Sequence, residues 1–233
     1  MALYSHATKD LIEADLAEGQ FFDASIINSD LDSLCCNNAK LSKIDIKDSN
    51  CNNSVFNNAD FANCNFDHSN FISSQFNKCN LQNTAITCTS LIKLQINNCR
   101  LQNHVIDACT LQRSQFNNTI IRNSSLKDFE GVYAKISQTV FINCNFEINY
   151  GSGMNGYSSA SFENCIFINC RFTGYPLRGA ETKNCTFIGC TGEITDSITA
   201  DCSFGLPGAA CTESIKITNR EEAEKIIREG KNA

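Results

Sequence analysis

An apolar residue recurs at every fifth position over most of this chain. From Leu11 to Phe146, 27 of the 28 such positions are apolar, and Gly131 is the one exception. Two residues before each of them, from Ala14 to Cys144, lies a second restricted position. It holds Ala, Gly, Ser, Thr or Cys at 22 of 27 places. The five exceptions are Leu34, Ile44, Leu94, His104 and Phe129.

A period of five fits neither an α-helix, which repeats every 3.6 residues, nor a simple strand, which repeats every two. It fits a chain that turns a corner every five residues, with one large and one small side chain pointing inward and three residues pointing outward. Four such sides close a coil of 20 residues. The pattern therefore predicts an all-β solenoid, in which residues 20 apart stack on one another.

The small inward position follows from volume, because four large side chains already fill the axis of so narrow a coil. Cysteine fits there as a small hydrophobe. On the outside, the 20-residue coil aligns asparagines 20 apart, and we expect their amides to hydrogen-bond from coil to coil. One such ladder comprises Asn63, Asn83, Asn103, Asn123 and Asn143.

The five-residue units resemble a known repeat. The segments Ala14-Asp15-Leu16, Asn58-Ala59-Asp60-Phe61 and Asn63-Cys64-Asn65-Phe66 are similar to the A(D/N)LXX unit of the pentapeptide-repeat family. The resemblance implies a right-handed quadrilateral β-helix with short parallel strands on four faces.

Interruptions of the period predict how the chain is divided. Residues 11–204 form the β-helix, with an inserted loop over 147–161, because the phase breaks after Phe146 and resumes one step displaced at Phe162. Residues 205–233 leave the repeat, and their pattern predicts a short strand followed by a C-terminal helix that caps the exposed end of the sheet. Residues 1–10 are expected to cap the other end.

Composition and charge narrow the class of protein. Hydrophobic residues make up 42% and charged residues 19%, and the formal net charge is -6. These values exclude a disordered polyelectrolyte and disfavour a basic nucleic-acid binder, so no direct nucleic-acid binding is expected. No apolar run is long enough to span a bilayer, and no signal peptide is visible, which favours a cytoplasmic location. Secretion without a cleavable signal peptide is the alternative.

The sequence favours a protein that is not an enzyme and that uses no cofactor. It contains only three histidines and no recognisable catalytic motif, and the filled axis leaves no cleft. The register turns His104 inward, where we expect it to be neutral and hydrogen-bonded. The cysteines are interpreted as buried, inert thiols, and their spacing predicts no metal site.

Three surfaces are candidates for binding a partner protein. The first is the inserted loop with Asn149, Tyr150, Met154 and Tyr157. The second comprises carboxylates of the N-terminal coils that could imitate phosphate: Asp30, Asp32, Asp45, Asp48, Asp60 and Asp67. The third comprises the outward aliphatic residues Ile120, Val140 and Ile142, which are candidate contacts to a partner or to a second copy in a homodimer.

The family resemblance also suggests a function. Some members protect bacterial DNA gyrase from quinolones or from a peptide toxin and are thought to act as DNA-like rods. It implies a non-enzymatic protein that binds DNA gyrase or topoisomerase IV and confers protection or immunity. The alternative is a secreted bacterial effector or a scaffold that docks a host or partner protein. A third option is a redox or metal protein that uses the cysteines.

Overall fold

The computed structural model describes residues 13–149, 151–193, 202–205 and 215–216, and they form a solenoid of parallel strands with about nine turns. The predicted all-β fold is therefore confirmed. None of the described residues is helical. The predicted N-terminal cap (1–10) and the predicted C-terminal helix lie outside the described residues, whereas two residues of the predicted C-terminal strand, Ile215 and Lys216, are described and are extended.

Two long strands open the solenoid and short strands continue it. The first strands are β1 (Gln20–Ile27), β2 (Lys40–Lys47), β3 (Val55–Asn57), β4 (Asp60–Ala62), β5 (Asn65–Asp67), β6 (Gln75–Asn77), β7 (Asn80–Gln82), β8 (Ala85–Thr87) and β9 (Gln95–Asn97). Next come β10 (Arg100–Gln102), β11 (Val105–Asp107), β12 (Gln115–Asn117), β13 (Ile120–Arg122), β14 (Ser125–Lys127), β15 (Lys135–Ser137), β16 (Val140–Ile142) and β17 (Asn145–Glu147). The last are β18 (Ser161–Glu163), β19 (Ile166–Ile168), β20 (Arg171–Thr173), β21 (Glu181–Lys183), β22 (Thr186–Ile188), β23 (Thr191–Gly192), β24 (Ser203–Gly205) and β25 (Ile215–Lys216).

The strands stack into the faces of a four-sided rod. Face 1 has only isolated bridges, such as the one between Asp30 and Asn50. Face 2 is the seven-stranded sheet of β3, β6, β9, β12, β15, β18 and β21. Face 3 comprises β4, β7, β10, β13, β16, β19 and β22, and face 4 comprises β5, β8, β11, β14, β17, β20 and β23. Faces 3 and 4 belong to one sheet, because β1 and β2 run across both.

Each corner of the rod uses a residue in the left-handed backbone region. The second residue after each large inward one has a φ near +50°, and this holds at every fifth position from Glu13 to Asn143. Asparagine tolerates this conformation better than most residues. The predicted amide ladder lies at these corners: Asn83 donates to Asn63 at 3.0 Å, and Asn103 donates to Asn83 at 2.8 Å. The ladder is thus confirmed. Asparagine suits these corners for two reasons, because it tolerates the left-handed backbone and its amide bonds to the next coil.

Aromatic side chains stack along the axis in the upper coils. The rings of Phe141 and Phe167 are 4.8 Å apart and nearly parallel, and those of Phe167 and Phe187 are 4.7 Å apart. Phe146 and Phe172 form a second stack at 5.0 Å. These large residues are buried, so the axis is filled with side chains as the five-residue pattern predicts.

The small inward side chains do more than save space, because they donate hydrogen bonds to the coil below. Ser74 Oγ donates to the carbonyl of Cys51 at 2.7 Å, and Cys79 Sγ donates to the carbonyl of Phe56 at 3.1 Å. The same 23-residue offset recurs along the rod, for example at Cys99. Serine, threonine and cysteine share a short side chain with a donor on its second atom, which explains why this position holds all three.

His104 occupies one of these small positions, and its ring makes the same hydrogen bond to the coil below that the small residues make. Its Nε2 lies 3.1 Å from the carbonyl oxygen of Leu81, again 23 residues earlier. A carbonyl can only accept, so Nε2 carries the proton. The other ring nitrogen, Nδ1, is buried without a partner. Burial lowers the pKa of His104 to about 4, so the ring is neutral at physiological pH, as predicted.

The insertion is shorter than the predicted loop over 147–161. Phe116 pairs with Ile136, which is 20 residues later, whereas Ile136 pairs with Phe162, which is 26 later, so the coil has 26 − 20 = 6 extra residues. They lie between Ile148 and Gly156, because Gly156 already bridges to Glu130 of the coil below. The regular path therefore resumes at Gly156.

Tyr157 fills the gap left by Gly131, the one non-apolar residue of the large series. A Cβ on Gly131 would lie 2.5 Å from Tyr157 Cδ1, so only glycine leaves room for the ring. The neighbouring small position holds Phe129, whose ring lies 4.7 Å from that of Tyr157. On this coil the large inward position holds Gly131 and the small one holds Phe129. Tyr157 from the next coil fills the remaining space.

Candidate binding surfaces

The predicted loop residues have different environments in the structure. Asn149 is exposed and Met154 is half-buried at the surface, whereas Tyr150 lies outside the described residues. The prediction that Tyr157 contacts a partner is wrong, because its side chain is only 1% exposed and packs in the axis. Among the described residues of the predicted loop, the exposed ones are Asn149, 151–153, Asn155 and Ser159, and a partner can reach these.

The base of the insertion is fixed to the coil below. Asn149 donates its backbone N–H to Asp128 Oδ1 at 2.7 Å and its side-chain amide to Asp128 Oδ2 at 2.8 Å. Partial burial raises the pKa of Asp128, but the hydrogen bonds from Asn149 outweigh burial and the net pKa is below its usual range. The insertion borders a hollow whose other side includes Tyr175 and Arg178.

The six predicted carboxylates do not form one acidic face. Asp30 and Asp32 lie on face 1, Asp60 lies on face 3, and Asp45 and Asp67 lie on face 4, with Asp48 at the corner between faces 4 and 1. Lysines share their columns: Lys40 is the register partner of Asp60, and Lys47 is that of Asp67. The negative charge is therefore dispersed and partly balanced.

Several of these carboxylates also take part in local hydrogen bonds. Asp30 Oδ1 accepts from Asn50 Nδ2 at 2.9 Å, and Asp32 Oδ1 accepts from Asn53 Nδ2 at 3.0 Å. Such bonds hold the turns of face 1 together. A structural role thus accounts for these two carboxylates whether or not a partner contacts them.

Face 3 changes from polar to aliphatic along the rod. Its outward residues are polar on β7 (Asn80 and Gln82) and β10 (Arg100 and Gln102). Further along, the outward residues include six aliphatic side chains on four successive strands, which we call the aliphatic patch: Ile120, Val140, Ile142, Ile166, Ile168 and Ile188. The predicted trio is therefore half of a larger surface.

The patch forms two adjacent columns. Ile120, Val140 and Ile166 follow one another in register, as do Ile142, Ile168 and Ile188. The first five are half-buried and Ile188 is buried. Below them, Arg100 continues the first column and Arg122 the second, and both arginines are exposed. The patch is thus an apolar surface with positive charge at its lower edge.

Comparison with protein families agrees with this architecture. The family model described as "Pentapeptide repeats" matches in eight copies, among them residues 35–72, 44–83 and 64–103. The chain is a pentapeptide-repeat protein. Comparison with curated protein sequences gives no match.

Solved structures with a similar fold include other pentapeptide-repeat proteins. HetL from the cyanobacterium Nostoc sp. Strain PCC 7120, described as involved in heterocyst differentiation regulation, is 15% identical, with a TM-score of 0.42 and coverage of 90% of this chain and 92% of HetL. Full-length QnrB1, a plasmid-mediated fluoroquinolone resistance protein, is 15% identical, with a TM-score of 0.39 and coverage of 91% and 99%. Rfr23 from the cyanobacterium Cyanothece 51142 is 21% identical, with a TM-score of 0.35 and coverage of 36% and 58%. Similarity at this level carries no argument about function.

One corner of this pentapeptide-repeat protein brings together three side chains that can ligate a metal. A ligand atom from each of Asp67, His68 and Cys88 lies within 4.8 Å of the other two. Asp67 Oδ1 is 2.8 Å from His68 Nδ1 and accepts a hydrogen bond from Thr87 Oγ1 at 2.6 Å. The cysteine spacing predicts no metal site and does not reveal this cluster, since His68 and Cys88 are 20 residues apart. That spacing means adjacency in this fold.

Most of the other described thiols are buried, as expected of structural cysteines. Eleven of the 14 described cysteines are buried, Cys35 and Cys190 are half-buried, and Cys88 is exposed. Burial raises the pKa of Cys36 and of Cys109 to about 12, which suppresses the reactive thiolate.

In the described part of the chain, no helix has the length and apolar character needed to span a membrane.

Proposed function

We propose that this pentapeptide-repeat protein is a non-enzymatic rod that binds a partner protein, with the aliphatic patch at the centre of the contact. The observation that carries this proposal is the change along face 3 from polar residues to six aliphatic ones, of which all but the buried Ile188 are partly accessible. The strands that hold the patch are fixed by parallel pairing on both sides. Such a surface is ordered before the partner arrives, which reduces the entropic cost of binding.

The size of the patch suggests what surrounds it. Its accessible residues span two strand steps of about 4.8 Å and two residues along each strand, which gives an area roughly 10 Å tall and 7 Å wide. A stable interface buries about 800 Å² per partner, so the patch can be the apolar centre of a contact but not the whole of it. Arg100 and Arg122 then belong to the polar rim. The partner surface that fits is an apolar area flanked by carboxylates.

The partner we propose is DNA gyrase or topoisomerase IV, because the repeat units resemble a family in which some members protect gyrase. Two separate surfaces are available for it. The patch lies on face 3, whereas the insertion with Asn149 and Met154 leaves the rod at the corner between faces 4 and 1. Single substitutions can therefore test each surface alone.

A gyrase supercoiling assay in the presence of a quinolone tests this proposal. We expect wild-type protein to preserve supercoiling, Ile142→Lys to lose the effect, and Gln82→Lys to retain it. Gln82 is the matched control because it lies in the same column of face 3, three strands below, on the polar part. Absence of protection by wild type at micromolar concentration would refute the topoisomerase assignment. Equal activity of Ile142→Lys and Gln82→Lys would instead refute the role of the patch.

A second candidate is a scaffold or secreted effector that docks a different protein. The dispersal of the predicted carboxylates over three faces favours it, since a rod that imitates DNA needs a continuous line of negative charge. In that case, the patch still makes the contact but gyrase is not the partner. A reporter fusion that measures translocation into host cells tests the effector role, and a fusion that stays in the bacterium excludes it.

A further inference from the structure

We propose that Asp67, His68 and Cys88 form a binding site for a divalent transition metal, with Zn²⁺ as the best fit. Asp67 and His68 come from one coil and Cys88 from the next, at the corner that follows face 4. Their ligand atoms are within 4.8 Å of one another. A thiolate, an imidazole and a carboxylate together form a ligand set that suits zinc and is poorly suited to calcium or magnesium, which prefer oxygen alone.

The carboxylate of this site is held in position by its neighbours. Thr87 donates a hydrogen bond to Asp67 Oδ1, and His68 and Lys47 lie nearby. Because Thr87 stacks directly on Asp67 in the strand register, the position of this carboxylate is fixed by the sheet.

The imidazole and the thiol are accessible to an ion from solvent. His68 and Cys88 are both exposed, and both occupy the left-handed corner position, with φ values of 47° and 49°. They occupy the same corner position on successive coils, 20 residues apart. Binding needs one lone pair from each, so the thiol must lose its proton to solvent when the metal enters.

Three protein ligands leave a fourth position of the tetrahedron open to water or to a further carboxylate. Asp48 is 20 residues before His68 at the same corner, and both residues line one polar hollow on the surface. Lys47 works against the metal, since its Nζ lies 4.0 Å from Asp67 Oδ2 and its side chain is about half exposed. A bound ion would join two adjacent coils at one corner.

Metal titration of the full-length chain tests the site directly. The experiment uses the full-length chain with the substitution Cys211→Ser. Every remaining thiol then lies among the residues that the structure describes. After treatment with a chelator, this chain is titrated with Zn²⁺ by calorimetry and with Co²⁺ by absorption spectroscopy. We expect one ion per chain, a thiolate-to-cobalt charge-transfer band, and a rise in Tm with Zn²⁺. We also expect Zn²⁺ to slow the alkylation of Cys88.

Two variants should lose the site without loss of the fold. Cys88→Ser and His68→Asn place residue types that already occupy left-handed corners at Ser73 and Asn98. Loss of a direct ligand should weaken Zn²⁺ binding by at least about tenfold, the lower end of the effect known for outer-shell partners. Lys47→Ala should tighten binding, because it removes a like charge. Circular dichroism confirms the fold of each variant.

The matched control is Cys35→Ser. Cys35 is a half-buried thiol on another part of the rod, where Asn37 Nδ2 contacts its sulfur at 2.9 Å. This variant should bind Zn²⁺ as tightly as the parent chain. A Co²⁺ spectrum without a thiolate band, or equal Zn²⁺ affinity in the parent chain, Cys88→Ser and His68→Asn, would overturn the proposal.

Discussion

His104 should make the stability of the rod depend on pH. Its ring is 1% exposed, and burial lowers its pKa to about 4, whereas an unfolded histidine titrates near 6.5. Between these values the unfolded chain binds a proton that the folded chain does not. Stability therefore falls as the pH decreases from about 6.5 to about 4, and this contribution levels off below that.

The expected magnitude follows from the difference in pKa. A difference of about 2.5 pH units at about 1.4 kcal/mol per unit amounts to roughly 3 kcal/mol of unfolding free energy. Burial is the dominant cause, because the hydrogen bond from Nε2 to the carbonyl of Leu81 raises the pKa and offsets burial only in part. Nδ1, which would take the added proton, has no hydrogen-bond partner.

Urea unfolding at a series of pH values measures this effect. The comparison is between wild type and His104→Ser, because serine is common at this inward position and keeps a donor there. The variant loses packing at every pH, so the informative quantity is the difference between the two pH profiles. Wild type should lose about 3 kcal/mol more than the variant between pH 7.5 and pH 4. Parallel profiles for wild type and His104→Ser would show that the buried ring is not the cause.

Substitutions at three further positions test the packing rules of the rod. Gly131→Ala should destabilise by about 1–3 kcal/mol in thermal unfolding, because its Cβ would lie 2.5 Å from Tyr157 Cδ1; an unchanged Tm would contradict this packing. Cys79→Ser keeps a donor to the carbonyl of Phe56 and should cost less in urea unfolding than Cys79→Val, which leaves that position without its donor; the opposite order would mean that volume alone governs it. Asn103→Ala should lower the free energy of unfolding by about 1–2 kcal/mol, because alanine is strained in the left-handed backbone region and cannot join the amide ladder. Asn103→Gly should remove the backbone strain and lose only the ladder hydrogen bonds. Equal Tm values for the Ala and Gly variants would remove backbone strain from the explanation.

The fold was predictable because the core of a solenoid is a one-dimensional pattern. Each coil contacts only its neighbours, so the inward positions can be read directly from the spacing of residues along the chain. The hydrogen bonds of the small position were not predicted. The pattern indicates only a small hydrophobe at Cys79, whereas the structure shows a donor to the coil below. Volume and donor capacity select the same residues, so the sequence alone does not separate them.

The end of the insertion and the extent of the patch were predicted less well for a shared reason. Six extra residues change the phase, and Tyr157 stands in a glycine-rich stretch that looks like an exposed loop. A signal was present, since Tyr157 precedes Phe162 by one unit of five. The same change of phase hid the outward direction of Ile166 and Ile168, which flank the inward Phe167.

The surface sites were the hardest to predict, because they depend on side chains from different coils. The rule that aligns asparagines 20 apart also aligns His68 with Cys88, but ligand motifs are ordinarily sought at short spacings in the chain. The dispersal of the carboxylates is a similar case. Their density along the chain suggested one acidic region, whereas the corners distribute them over three faces.

The short insertion has a consequence for engineering. Asn149 is anchored to Asp128 before the excursion, and Gly156 is bonded to Phe129 and Gly131 after it, so both ends of the extra chain are fixed to the same underlying rung. Excision of six residues between them would bring Tyr157 into the ordinary 20-residue spacing above Gly131. The insertion is therefore a suitable site for loop grafting. Foreign peptides of varied length can be displayed there on a rigid β-helix, and the coils on either side keep their register.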